Sequence, residues 1–223
     1  KIKKEKQISR EGKAATGKST DEKINKKKYN LKFLSSGLLY RYASYLILKH
    51  KPKNKISFLK KKFKNLKYNQ LGKYNLNSLR ISKHSALIAK KNNIRKILKK
   101  FQIDFSQKNK NCCIEGRDIS TKILPYSDVK FFFKCSLNIA ALRRYKELKK
   151  RDPKINLKDV KKALRIRNIS DTKRKNSPLL KHRDSVVIDT GKLNKKAMLA
   201  KMSKCVEKVI NIKKNESSGR IKK

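Results

Sequence analysis

Hydrophobic positions in this chain fall in short blocks divided by stretches rich in Lys and Asn. Gln7 to Glu11 reads as a short first strand leading into GKAATGKST at Gly12 to Thr20. Thr20 to Lys28 follows as a first helix with Ile24 as its one strong apolar residue. Leu31 to Leu34 is a short apolar strand, and Gly37 to Leu48 (GLLYRYASYLIL) is apolar enough for a buried helix. Lys49 to Asn77 shows no clear period and reads as an inserted, mobile lobe. Leu79 to Phe105 has helical character, with Leu87, Ile88, Ile94, Ile97, Leu98 and Phe101 as apolar positions.

Asn111 to Glu115 is a buried-type strand ending at a Gly turn, and Val129 to Cys135 is a second, rich in aromatics. Ser136 to Leu148 predicts a helix with a Ser cap. A turn signal at Asp152-Pro153 precedes another helix over Leu157 to Ile169. Ser185 to Asp189 is a last strand. Ala197 to Ile212 is an amphipathic helix with Met198, Met202, Val206 and Val209 on one face. Residues 216–223 read as a disordered tail. Strands alternating with helices imply an α/β fold on a parallel sheet, and 223 residues suffice for one core with small inserted lobes.

Charge changes the picture less than its size suggests. Sixty-five Lys and Arg against 16 Asp and Glu leave a net charge of +49, which attracts any polyanion over a screened, long range. The Lys residues are spread rather than clustered, so a general drift toward Lys and Asn explains them better than a dedicated nucleic-acid surface. No acid occurs between Glu22 and Asp104, whereas Glu11, Glu115, Asp118, Asp171, Asp184 and Asp189 survive inside ordered-looking segments. The four cysteines form no CxxC pair and read as free thiols in a reducing compartment. No apolar run of membrane-spanning length is present, and the basic start lacks a following apolar core, so a cytoplasmic monomer without a membrane partner is the expectation.

Gly12, Gly17, Lys18 and Ser19 satisfy GxxxxGK(S/T) between a strand and a helix. Glycines let successive N–H groups turn inward on phosphate, and the next helix adds its N-terminal amides and dipole. Gly12, Lys13, Ala14, Ala15, Thr16, Gly17, Lys18, Ser19 and Thr20 are therefore the expected ATP-phosphate loop. Lys18 would reach the β- and γ-phosphates, and the Ser19 hydroxyl would bind Mg²⁺.

Three further segments are LSSGLLYR at Leu34 to Arg41, EGRDISTKILPYSD at Glu115 to Asp128, and RNISDTKRKNSPL at Arg167 to Leu179. With SVVIDTGKL at Ser185 to Leu193 they resemble, in order and spacing, the bacterial cytidylate kinases. The likeness is closest over Ile114 to Leu193, traceable over Ile8 to Leu48, and absent from Lys49 to Asn77.

The resemblance implies a P-loop nucleoside monophosphate kinase fold, with a central parallel five-stranded sheet flanked by helices, a monophosphate-binding lobe and a lid. Residues 1–48 and 105–215 would form the core, about 149–159 the lid, and 49–104 the lobe. The activity it implies is phosphorylation of CMP or dCMP by MgATP. By resemblance, Arg41, Arg117 and Arg174 hold the CMP phosphate, as forked guanidinium groups do well. Ser36, Arg167 and Asp171 read the cytosine edge, with Tyr40 and Asp118 beside them. Arg143 and Arg144 open the lid and, with Lys18, form the catalytic set; Glu115 or Asp118 orients Mg²⁺, with Glu115 preferred.

Two alternatives stay open on the residues alone. Asp171 and Arg174 could pair with each other on one helix, and Asp118 could pair structurally with Arg117. The competing functions are another small-molecule P-loop kinase and a non-enzymatic basic nucleic-acid-binding protein. The chain also departs from the family pattern. Lys13 stands for a usual Pro, Glu11 for Asp, Ser120 for Gly, Asn168 for Asp, Ala86 for a Ser that touches cytidine, and Gly191 for Ser or Thr. Arg10 occupies a strand position that should be apolar, where an unpartnered guanidinium would cost several kcal/mol.

Overall fold

A computed structural model describes residues 5–18, 28–150 and 152–219, with side chains through residue 211. Five parallel strands form one sheet in the order β2-β3-β1-β4-β5. They are β1 (Lys6–Gly12), β2 (Lys32–Ser35), β3 (Asn111–Gly116), β4 (Val129–Lys134) and β5 (Val186–Asp189). The helices described in full are α1 (Ser36–His50), α2 (Lys55–Lys64), α3 (Leu79–Ile88), α4 (Asn92–Lys108), α5 (Leu137–Lys149), α6 (Leu157–Lys173) and α7 (Lys195–Gly219). Because every strand runs the same way, all carboxyl ends meet along one edge, where an open α/β sheet places its ligands.

Burial divides the molecule into three apolar units. Leu34, Leu39, Leu46, Leu59, Phe63, Leu98 and Ile114 join α1, α2 and α4 to the sheet. Ile8, Phe131, Phe133 and Ile188 pack with Met198, Met202 and Val206 of α7. A small third unit, with Ala140, Ala141, Leu148, Val160 and Leu164, ties α5 to α6. All four cysteines are free, with Cys112 and Cys113 buried in β3.

The structure departs from the sequence expectation in four places. Lys49 to Asn77 contains α2 and a 3₁₀ turn over Tyr68–Lys73. Asn54 caps α2 by accepting from the amides of Ile56 and Ser57, and Leu59 and Phe63 bury one face among lysines. The helix expected over Leu79 to Phe105 is two helices, parted at Ala89–Lys91, where Lys91 becomes extended. A π-helical turn over Ile119–Ile123 follows β3. α7 continues through Gly219, beyond the point at which a disordered tail was expected; residues 220–223 lie outside the described residues. The first helix expected over Thr20 to Lys28 lies outside them except for Lys28. Ser136 does cap α5, accepting from the Ile139 amide at 3.2 Å.

Arg10 is completely buried in β1 but not without partners. Its Nη1 donates to the Lys18 carbonyl at 2.9 Å, and its guanidinium lies 5.8 Å from the Phe33 ring centroid. The polar intruder in the strand thus braces the end of the loop that leaves it.

Candidate active site

β1 ends at Gly12 against β4, in register with Phe133. Gly12 has φ +143°, and a Cβ there would sit 2.2 Å from the Phe133 carbonyl oxygen, so only glycine fits. The chain then turns back on itself, with Gly17 and Ala15 also at positive φ. Lys18 folds into this loop, donating Nζ hydrogen bonds to the carbonyls of Lys13 (2.7 Å) and Gly12 (3.1 Å). Burial, reinforced by Arg117, drives its pKa well below the ordinary lysine value. Ser19 and Thr20 lie outside the described residues.

Guanidinium groups gather beside the loop. Arg117, just past β3, donates Nε to Asp171 of α6 at 2.8 Å. Arg167 lies 3.9 Å and Arg174 3.6 Å from the same carboxylate. Burial alone would raise the Asp171 carboxyl, but Arg117 and Arg167 outweigh it and hold it below the usual carboxylate range. Arg41, one turn into α1, donates to Asn77 Oδ1 at 2.7 Å. Burial and neighbouring cations push Arg41 down to about 10 and Arg167 to about 9. Lys18, Arg41, Arg117, Arg144 and Arg167 thus form one network of mutually repelling, poorly solvated cations. A dianion placed among them would relieve that repulsion.

Asp118 is engaged elsewhere in the same cluster. It is paired with Arg95 of α4 and lies 3.8 Å from Arg174. Arg95 also donates to the Ala89 carbonyl and lies 5.9 Å from the Tyr40 ring, whose hydroxyl burial raises to about 12. Arg117 therefore pairs with Asp171 rather than with Asp118, which answers one of the open structural pairings. Ser36 donates to Gln102 Oε1. Glu115, at the end of β3, accepts from Ser35 Oγ at 2.6 Å and acts electrostatically on Lys18.

A cleft of about 310 Å³ separates α3 from α5 and α6. Ser82, Ala86, Leu87, Arg144, Leu164 and Arg167 are among its walls. Ser85 does not make up for the hydroxyl absent at Ala86, because it is buried and donates to the Ser82 carbonyl. Arg144 spans the cleft, bonded to Glu147 on its own helix and reaching Ser82 Oγ at 3.5 Å. Arg143 turns the other way. It donates twice to Thr190 after β5, and Thr190 Oγ1 in turn donates to the Thr16 carbonyl. Asn168 Oδ1 accepts from the Ala14 amide at 3.2 Å, so α6 touches the phosphate loop directly.

Several of the residues singled out from sequence thus belong to one network, with Lys18, Arg41 and Asp171 linked through Arg117, and Arg174 joined to it through Asp171. Arg143 stands apart on the Thr190 side. Arg95, Gln102, Asn77 and Thr190 were not singled out, since each acquires its meaning only from a distant partner.

A phosphate loop at the end of a central parallel strand, faced by this arginine network, matches the family whose model, described as cytidylate kinase, covers residues 8–208. The chain belongs to the cytidylate kinase family. A cytidylate kinase of Clostridium tetani is 33% identical over 214 residues, spanning 91% of this chain and 94% of the relative. One of Bartonella tribocorum is 31% identical over 210 residues, spanning 92% and 96%. An uncharacterised protein from Eubacterium ventriosum superposes at a TM-score of 0.52 with 15% identity, covering 92% of this chain and 99% of that one, a likeness of fold alone. Among the described residues no helix is long and apolar enough to cross a membrane, and no group of three or more His, Cys, Asp or Glu is placed to hold a metal.

Proposed function

We propose that this chain transfers the terminal phosphoryl group of ATP to CMP or dCMP. The observation that carries this reading is the buried cationic cluster in which Lys18 and Arg41 each feel Arg117, Arg167 feels both arginines, and Arg117 is paired with Asp171. Such transfer needs no covalent intermediate; it needs two phosphates held in line and their charge neutralised. Lys18, drawn from the carbonyls it now contacts, would move to the ATP phosphates. Arg41, Arg117 and Arg174 would grip the CMP phosphate, with Arg95 bracing Asp118 behind them. Asp171 and Arg167 would read the cytosine edge, Asp171 accepting from its amine and Arg167 donating to its ring acceptors. The Arg144 bridge between α5 and α3 would help to draw the lid over the acceptor and exclude water.

Mg²⁺ suits the donor set. It is usually held by one or two carboxylates together with phosphates rather than by a full protein cage. Asp118 is committed to Arg95; Glu115, at the end of β3 and acting electrostatically on Lys18, would with the Ser19 hydroxyl hold the ion through its waters. When bound, Mg²⁺ neutralises charge on the β- and γ-phosphates. Steady-state kinetics of Asp171→Asn test the assignment. The KM for CMP should rise at least about tenfold while that for ATP stays within twofold, the pattern of a lost base contact. An equal rise for both substrates would remove Asp171 from base reading.

A further inference from the structure

The paired rungs between β1 and β3 end at Glu11↔Gly116. Beyond that point the two strands diverge, β1 into the phosphate loop and β3 into Arg117 and Asp118. At this fork Glu11 and Ser120 meet, 109 residues apart in sequence. The Ser120 amide donates to one oxygen of the Glu11 carboxyl at 2.7 Å, and its hydroxyl bonds the other at 2.6 Å. Both residues are buried, Glu11 completely.

We infer that Glu11 and Ser120 form a positioning clamp, which fixes the distance between the loop that holds the phosphoryl donor and the turn that carries Arg117 to the acceptor. Neither residue touches substrate. The backbone ladder stops one residue short of Gly12, and the clamp carries the constraint past it into the π-helical turn over Ile119–Ile123. In-line transfer is sensitive to such spacing, since a displacement of about 1 Å costs about 10²-fold in rate. The hydroxyl has a further property. It donates to a carboxylate and accepts from a carboxylic acid, so the pair holds in either protonation state. The clamp therefore acts through hydrogen bonding rather than through charge. This inference rests on the proposed phosphoryl transfer.

The test compares Glu11→Ala, Glu11→Gln and Ser120→Ala in the full chain, measuring kcat, both KM values and thermal stability. Glu11→Ala should lower kcat by about 10²-fold with KM for ATP and CMP each within about threefold, the signature of substrates bound but misaligned. Glu11→Gln should stay within about threefold of the native kcat, because its carbonyl accepts from the Ser120 amide and its NH₂ donates to the Ser120 hydroxyl. Ser120→Ala, which keeps one of the two bonds, should lose about tenfold. The clamp is overturned if folded Glu11→Ala, or Ser120→Ala where Glu11→Ala does not fold, keeps kcat within twofold of native. It is equally overturned if Glu11→Gln is as impaired as Glu11→Ala. A native chain that phosphorylated another monophosphate in place of CMP would defeat only the substrate reading, and the same variants assayed with that monophosphate would still decide the clamp.

Discussion

Replacing Glu11 by Gln should change how stability depends on pH, and the magnitude follows from the burial of its carboxyl. Desolvation raises Glu11 from 4.5 to about 7, against the lowering effect of its hydrogen bonds from Ser120 and with a further rise from Asp118. A rise of that size is a preference of about 3 kcal/mol for the neutral form. The folded state therefore holds a proton on Glu11 that the unfolded state releases above pH 4.5. Stability contributed by this group is complete below that value, declines as pH climbs toward 7, and is lost above it. Gln cannot ionise and is nearly isosteric, so the variant keeps the neutral arrangement at every pH. In paired denaturant titrations from pH 5 to pH 8.5, the Gln variant should gain on the native chain by about 2.5 kcal/mol, since part of the contribution is already lost at pH 5, or roughly 5–10 °C in Tm for a chain of this size. Other titrating groups are common to both proteins and cancel in the difference. A difference that stayed constant across this range within about 0.5 kcal/mol would refute the reasoning and show the Glu11 carboxyl to be well solvated.

Four further outcomes are expected. Lys18→Ala should lower kcat by about 10²–10³-fold, the usual loss of one transition-state donor, and should leave CMP binding measurable by calorimetry. Arg95→Met should cost about 3–5 kcal/mol in denaturant unfolding, because it leaves Asp118 buried with Arg174, at 3.8 Å, as its remaining ion-pair partner among the described residues, and should raise the KM for CMP. Gly12→Ala should abolish activity and lower Tm, since the added methyl meets the Phe133 carbonyl of a packed strand; native activity in that variant would contradict the loop geometry. Asp171 lies below the ordinary carboxylate value when folded, so its contribution is present above about pH 4 and lost as pH falls through its depressed folded value. Acid titration followed by circular dichroism should show native and Asp171→Asn curves converging below pH 4.

How much of this was legible in the sequence depends on the range of each interaction. The strands β2 to β5 were visible because each carries a short apolar run, β1 (KQISREG) was read from its place ahead of the glycine loop, and that loop was visible because its glycines meet a local geometric demand at Gly12. The helix Lys55–Lys64 was hidden because Leu59 and Phe63 bury their face among five lysines whose polarity masks the period. The break at Ala89–Lys91 carries neither Gly nor Pro, so nothing local announced it. Arg95 looked like one more cation in a chain with 65 of them, and its pairing with Asp118 exists only once α4 packs beside β3. Arg10 looked like a defect because its partner, the Lys18 carbonyl, belongs to a loop whose shape is a tertiary property. Net charge says little about any of this, since it acts at long range and is screened by salt.

The central claim is met most directly by initial rates of ADP release with CMP, dCMP, UMP and AMP as acceptors at saturating MgATP. The account predicts turnover of CMP and dCMP, with kcat/KM for AMP at least about 10²-fold lower because its base leaves Asp171 and Arg167 wrongly paired. Equal use of AMP, or no turnover of CMP by a folded protein that binds ATP, would contradict it.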